Sequence, residues 1–285
     1  MAQKLGKDYL AKAAQGQDLV KAVRQKKAER QANGDKVVFW KFIRKVFPQY
    51  KFYKFHAVLI EQLQRVIDGE CNRLILQVPP RHGKSLLASQ LLPAAYLLAH
   101  PDRFVGISSY SSELAEGFSR KARDFYREAG GLLNPSSQAV NAWGTEGNGG
   151  LWAAGVGGAI TGRSGHLLII DDPVKNREDA ESARMMDKLN DWYTSTLYTR
   201  LEPQVGAIVV IQTRWSENDM IGQLLENEMN VSEKGRENWT IVDLPAIYED
   251  AGDRPKLPEH CAVRRDWREA IGSGPIPIST LHHPT

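Results

Sequence analysis

One stretch limits what this chain can fold into more than any other: Arg73-Leu-Ile-Leu-Gln-Val-Pro-Pro-Arg-His-Gly-Lys-Ser-Leu-Leu87. The apolar run from Leu74 to Val78 has the length and composition of a buried strand. Two prolines and a glycine then force a tight turn, and the apolar residues after Ser85 open a helix. A strand, a tight loop and a helix N-terminus closing on Gly83-Lys84-Ser85 make a phosphate-binding loop. Backbone N–H groups there face phosphate oxygens, the lysine reaches the β/γ oxygens, and the serine hydroxyl sits on Mg²⁺. Pro80, Arg81, His82, Gly83, Lys84 and Ser85 are therefore the candidate nucleotide-binding residues, with ATP and Mg²⁺ the expected ligands. The first glycine of the usual G-x-x-x-x-G-K-[ST] pattern is replaced by Val78. Gly-Lys-Ser alone is common in ordinary turns; the flanking strand and helix make the difference.

The 285 residues suit one large α/β domain with appendages, or two small domains. No apolar run is long enough to span a bilayer, and the N-terminus has no signal-peptide core, so no membrane association is expected. Cys71 and Cys261 form no metal or disulfide spacing, which suits a reducing cytoplasm. The net charge of +3 conceals an asymmetry, because residues 1–54 hold 14 Lys/Arg against 4 Asp/Glu. A basic arm ahead of an acidic body suits a polyanion or an acidic partner, and equally a solvated tail.

Residues 1–45 read as that basic arm or helix. Within it, Val37 to Val46 mixes aromatic, apolar and basic residues, and an amphipathic helix docked on the domain is the preferred reading. A globular unit is expected over 46–250, and an atypical tail over 251–285. Phe52 to Ile67 predicts a helix ended by Gly69, and His56 on it is a candidate adenine contact. Ser85 to Ala99 predicts a helix kinked at Pro93. Strands are expected at Phe104–Ser109, Leu167–Ile170, Gly206–Gln212 and Trp239–Leu244, with shorter pieces near 139–143 and 151–156. Helices are expected after Ser111, over 177–200 and from Asn218. Apolar strands alternating with helices imply a mainly parallel sheet covered on both faces.

Leu167–Ile170 followed by Asp171-Asp172 supplies the second half of a nucleotide-hydrolysis site. A doubly buried strand delivers its C-terminal residues to the crevice where ligands bind. Asp171 is placed to hold Mg²⁺, directly or through water. Asp172 stands where a carboxylate would polarise the attacking water. Upstream, Gly157 to Gly165 is glycine-rich and carries one cation, Arg163, read either as an arginine finger for a neighbour's γ-phosphate or as a partner of the strand-end carboxylates. Arg81 is a second candidate finger. Thr213, at the end of the next buried strand, is either a γ-phosphate sensor or a simple strand-end cap.

Together these residues resemble the N-terminal ATPase domain of the large terminase subunit of tailed bacteriophages. The resemblance runs from Phe52 to Ala246. It rests on Pro79-Pro-Arg-His-Gly-Lys-Ser85, Ile107-Ser-Ser-Tyr-Ser-Ser-Glu-Leu-Ala115, Ile160-Thr-Gly-Arg-Ser164, Leu168-Ile-Ile-Asp-Asp-Pro173, Thr199-Arg200-Leu201, and Ile211-Gln-Thr-Arg-Trp215 with Asp219. The missing first glycine is usual in that family. By resemblance the fold is a P-loop NTPase of the additional-strand (RecA-like) type. Lys84 and Ser85 are implied to bind phosphate and Mg²⁺, and Asp171 the metal. Asp172 is implied as the catalytic acid, Arg163 as a finger acting across subunits, and Thr213 as part of a coupling motif. The activity implied is ATP hydrolysis that drives double-stranded DNA into a procapsid. The implied partners are DNA, the portal protein, the small terminase subunit and copies of the chain itself in a ring, all in the host cytoplasm.

Full-length large terminases continue into a nuclease domain, and residues 259–285 match nothing expected there. They read as a truncated or frame-shifted end, with no DNA cleavage expected. Two rival readings stand beside the motor. One is a helicase-like ATPase that tracks nucleic acid, against which stands Thr-Arg-Trp after β-strand Gly206–Gln212. The other is an inactive prophage remnant that binds partners without turnover.

Overall fold

The structure, a computed structural model, describes residues 36–244, Pro258 and residues 260–264. What was expected of residues 1–35 and of the chain after residue 264 lies outside the described residues.

One sheet organises the molecule. Its strands are β1 (Arg73–Gln77), β2 (Phe104–Ser109), β3 (Leu133–Gln138), β4 (Ala142–Thr145), β5 (Gly150–Gly155), β6 (Leu167–Asp171), β7 (Ala207–Gln212), β8 (Thr240–Asp243) and β9 (Ala262–Arg264). They lie in the order β3-β4-β5-β2-β6-β7-β1-β8-β9. From β5 to β9 all neighbours are parallel, while β3 and β4 run antiparallel at one edge. β7 is inserted between β6, which ends in Asp171, and β1, which feeds the phosphate loop. That insertion makes the fold an α/β P-loop domain of the additional-strand, RecA-like type.

Every residue of β7 is buried, as expected of a strand covered on both sides. Val209 and Ile211 pack into one core with Leu74, Leu76 and Ile169; Ile208 and Val210 pack into the other with Ile75, Leu168 and Ile170. Helices α1 (Phe39–Val46), α2 (Lys54–Ile67), α3 (Leu92–Ala99) and α4 (Ser112–Glu128) cover the first face. The second face is covered by α5 (Arg177–Glu181), α6 (Ala183–Asp191) and α7 (Met220–Asn230). Among the described residues, no helix is long and apolar enough to cross a membrane.

The elements depart from the sequence reading in five places. The helix expected over 177–200 is broken at Ser182 and ends in a π turn over Trp192–Leu197 and a 3-10 turn over Tyr198–Arg200. The helix after the phosphate loop opens as a π turn over Leu86–Leu91 before α3. Pro93 has no N–H to offer the Ser89 carbonyl, so a regular turn cannot close there, and the wider turn precedes it. The amphipathic helix expected over Val37 to Val46 is present as α1 and docks on the domain as expected, but because it buries Phe39, Phe42, Ile43 and Val46 in the first core, the globular unit begins before residue 46. It also runs past residue 250, because β9 pairs in parallel with β8. Finally, β3 (Leu-Asn-Pro-Ser-Ser-Gln) is an edge strand, mostly exposed, whose sequence lacks the apolar alternation that marks a strand.

Candidate active site

The C-terminal ends of β1, β6 and β7 lie side by side, and each hands over to a loop that carries chemistry. After β1 the chain turns through Pro79 and Pro80. Arg81 adopts φ +65° and Gly83 φ +76°. Gly83 suits this position twice over. Positive φ costs glycine least, and a Cβ there would stand 3.2 Å from the Tyr50 hydroxyl and 3.4 Å from His56 Nε2. The loop is braced by His82 Nδ1 donating to the Pro80 carbonyl at 2.9 Å and by Leu87 N–H donating to the Gly83 carbonyl at 2.9 Å. Arg81 itself is exposed.

Lys84 is 6% exposed and its ammonium is held by two hydrogen bonds. It donates to Asp172 Oδ1 at 3.0 Å and to the Thr213 hydroxyl. The Thr213 N–H donates to the same Asp172 oxygen at 2.9 Å. One lysine thus ties the phosphate loop to the ends of both β6 and β7. Asp172 holds its place through its own backbone: φ is +43°, its N–H donates to the Ile211 carbonyl at 2.8 Å, and its carbonyl accepts from Tyr110 N–H at 3.2 Å. A non-glycine residue in the left-handed region carries a conformational cost, which the hydrogen bonds on either side offset.

Asp171 points from the same strand end into the first core and is 1% exposed. Ser85 Oγ donates to its Oδ1 at 3.1 Å and Ser89 Oγ to its Oδ2 at 2.5 Å. Burial, with the neighbouring Asp172 charge, pushes its pKa up to about 6, against the pull of the two serine hydroxyls and Lys84. A carboxylate in this position lacks a full counter-charge. Ser109, its in-register neighbour on β2, is fully buried and its hydroxyl has no partner. Oxygen donors only, one of them an under-compensated carboxylate and one an orphaned hydroxyl, form a set that fits a hard divalent cation such as Mg²⁺.

His56 lies behind the loop rather than beside it. The ring is 4% exposed, accepts from Tyr53 N–H at Nδ1 (3.1 Å) and faces the His82 carbonyl through Nε2 (3.3 Å). Burial first, and the nearby His82, lower its pKa to about 4, so the ring is neutral, with its proton on Nε2. In this arrangement His56 buttresses the phosphate loop. Tyr50 stands next to it, ring centroids 5.2 Å apart, with a buried hydroxyl that has no partner.

Arg163 is not brought to the strand-end carboxylates. Its Nη1 donates to the Asn141 carbonyl at 3.4 Å and its guanidinium lies 5.9 Å from the centre of the Trp152 ring. The connection that carries it leaves from the C-terminal end of the sheet, where Val156 N–H donates to the Ser109 carbonyl. It returns to the N-terminal end, where His166 N–H donates to the Phe104 carbonyl. Arg163 sits between these two points, on the flank of the sheet against β5, where Trp152 is in register with Gly106 in mid-strand.

Thr213 continues into Arg214 and Trp215, and this segment is locked to α7. Asp219, fully buried, accepts from Arg214 Nε at 2.9 Å, from Trp215 N–H at 3.2 Å and from Gly222 N–H at 3.1 Å. The last of these caps α7. Sequence reasoning missed Ser89, Ser109 and Tyr50. Ser89 was within reach, because it follows Ser85 by one helical turn and shares its face. Ser109 lies within the Ile107–Ala115 motif that carries the resemblance, though no role was drawn from it, and nothing in the sequence around Tyr50 signals one.

A family model described as terminase large subunit, T4likevirus-type, N-terminal, matches residues 75–270. The chain belongs to that family. The match reaches beyond β9 to residue 270, so the first part of the segment 259–285, read as a truncated or frame-shifted end, falls within the family's own pattern. No curated protein matches the chain. Among solved structures, the large terminase of a thermophilic bacteriophage in complex with ADP (crystal form 3) is 9% identical, with a TM-score of 0.34, and the match covers 53% of this chain and 38% of that one. Crystal form 2 of the same terminase is 8% identical, with a TM-score of 0.40, covering 60% and 43%. Its ATP-gamma-S complex is 9% identical, with a TM-score of 0.30, covering 61% and 50%. The chain spans at most half the length of these terminases.

Proposed function

We propose that this chain is the ATPase motor portion of a tailed-phage large terminase, hydrolysing ATP to drive double-stranded DNA into a procapsid in the host cytoplasm. The observation that carries the reading is the meeting of Lys84, Asp172 and Thr213 at the ends of adjacent strands, with Ser85 and Asp171 one step away. In this reading the loop from Pro80 to Ser85 cradles the triphosphate. Lys84 leaves Asp172 and Thr213 to bind the β/γ oxygens. Release of Lys84 frees the Asp172 carboxylate to orient the attacking water and accept its proton, and frees the Thr213 hydroxyl to register the γ-phosphate. Ser85 and Asp171 would hold Mg²⁺, which supplies charge neutralisation at the phosphates. Arg163, set apart from its own subunit's carboxylates, acts on the neighbouring subunit of a ring. His56 supports the loop from behind, which leaves it poorly placed as the adenine contact expected of it. The portal protein and the small terminase subunit complete the assembly.

The test separates binding from chemistry. Asp172→Asn removes the carboxylate that competes for Lys84 but leaves the phosphate loop intact. It should bind a non-hydrolysable ATP analogue at least as tightly as the wild type, while Mg²⁺-dependent turnover falls by ~10²–10⁴-fold. Lys84→Ala should lose both. Turnover that survives in both variants would remove this site from the reaction.

A further inference from the structure

Far from the nucleotide site, three side chains of different chemistry converge where β9 meets α7. Glu228 on α7, His260 and Cys261 each place a donor atom so that all of these atoms lie within 4.8 Å of one another. Glu228 is 4% exposed and Cys261 is 7% exposed. We propose that Glu228, His260 and Cys261 form a zinc site that fastens β9 to the body of the domain.

The state of Glu228 leads to this reading. Its Oε1 accepts from Glu237 N–H at 2.9 Å, from Asn238 N–H at 3.0 Å and from His260 Nε2 at 2.9 Å. A turn wraps the carboxylate, and Asn238 takes φ +55° within it. No lysine or arginine pairs with Glu228 among the described residues. A buried carboxylate oriented by backbone N–H groups, with its second oxygen uncommitted among the described residues, is prepared in the way metal-bound carboxylates are. The donors match the metal. Thiolate, imidazole and carboxylate together suit Zn²⁺, which takes three protein ligands and a water in tetrahedral geometry. The two anionic ligands balance the +2 ion, so a neutral complex replaces a buried negative charge. Zinc ligand atoms stand roughly 3.3–3.6 Å apart, given bonds of about 2.0–2.3 Å. The His260 Nε2–Glu228 Oε1 pair, now 2.9 Å apart, must therefore open slightly, and any separation near the 4.8 Å limit must close by ~1 Å.

Proton bookkeeping is simple. Cys261 gives up its thiol proton, and His260 moves its proton from Nε2 to Nδ1 as Nε2 becomes the ligand. Burial, with the Glu228 charge nearby, now holds the thiol above its usual range, so the metal must displace that proton and binding weakens as pH falls. The ligands come from α7 and from the residues leading into β9, a three-residue edge strand whose hydrogen bonds to β8 are few. The ion adds what so short a strand lacks. The sequence could not announce the site, because His260-Cys261 follows Glu228 at no familiar metal-binding spacing.

The test uses the full chain, stripped with a chelator and titrated with Zn²⁺ and, as a spectroscopic probe, Co²⁺. The expected result is one zinc retained per chain after dialysis, a thiolate-to-cobalt charge-transfer band, and a rise in melting temperature on zinc addition. Cys261→Ser should abolish the cobalt band. His260→Ala should weaken zinc binding by ~100-fold or more. Both stripped variants should melt close to the stripped wild type, which shows that they fold. A double change of His282 and His283 to Ala should leave all three readouts intact. Zinc retained equally by Cys261→Ser and His260→Ala, or no zinc retained by the wild type, would overturn the assignment.

Discussion

Asp171 and His56 sit on either side of the phosphate loop, and burial shifts them so that their pH effects oppose each other. Asp171 rises from 3.8 to about 6, so between those values the folded chain holds a proton that the unfolded chain has released. The stability it contributes is present below 3.8 and drains away as pH rises through 6. His56 falls from 6.5 to about 4, so it is the unfolded chain that binds the extra proton over that range. Its contribution is complete above 6.5 and is lost as pH falls towards 4. Each is worth on the order of 3 kcal/mol, and the two windows overlap, so the metal-free wild type should show a flattened profile. Single substitutions separate them. Metal-free Asp171→Asn should melt higher as pH rises from 4 to 6.5, while His56→Gln should melt lower as pH rises from 4 to 6. Melting curves across that range would refute the assignment if the two slopes had the same sign.

At the scale of elements, the link from β7 to α7 is a joint held by one buried carboxylate. Asp219 performs three tasks there, as cap of α7, partner of Arg214 and anchor of the Trp215 backbone. Asp219→Ala leaves a guanidinium and two N–H groups without their acceptor and should cost about 2–4 kcal/mol in urea unfolding. Asp219→Asn keeps the cap and should lose less. Equal losses would show that the cap contributes nothing. The same joint shows what the sequence made legible. Thr213, Arg214 and Trp215 stood out because the doubly buried strand read over Gly206 to Gln212 must end where they begin, whereas Asp219 entered only through the family resemblance. β3 was not readable, because an exposed edge strand needs no apolar alternation. Nor was the π turn before α3, where Pro93 announced a disturbance but not its form. The role of Tyr50 depends on a packing contact with Gly83 across more than thirty residues of chain, which no local pattern encodes.

For the whole molecule, Arg163 is the residue whose position in sequence misleads. Three residues before His166 and eight before Asp171, it reads as a neighbour of the carboxylates, yet the connection crosses the height of the sheet and leaves it beside Trp152 and Asn141. A single copy therefore has a phosphate loop at one end of its sheet and an arginine displaced from it, an arrangement that suits two copies working together. If the finger acts across subunits, turnover per chain should climb with protein concentration, and Arg163→Ala should lower it by ~10³-fold or more. Mixing gives the sharper measurement. Lys84→Ala keeps Arg163 but cannot bind phosphate, and Arg163→Ala keeps the phosphate loop but has no finger. Each should be nearly inactive alone, and an equimolar mixture should recover turnover, because the first variant can present its arginine to the loop of the second. A mixture no more active than its components, together with a wild-type rate flat in concentration, would confine Arg163 to its contacts with Trp152 and Asn141 within one chain.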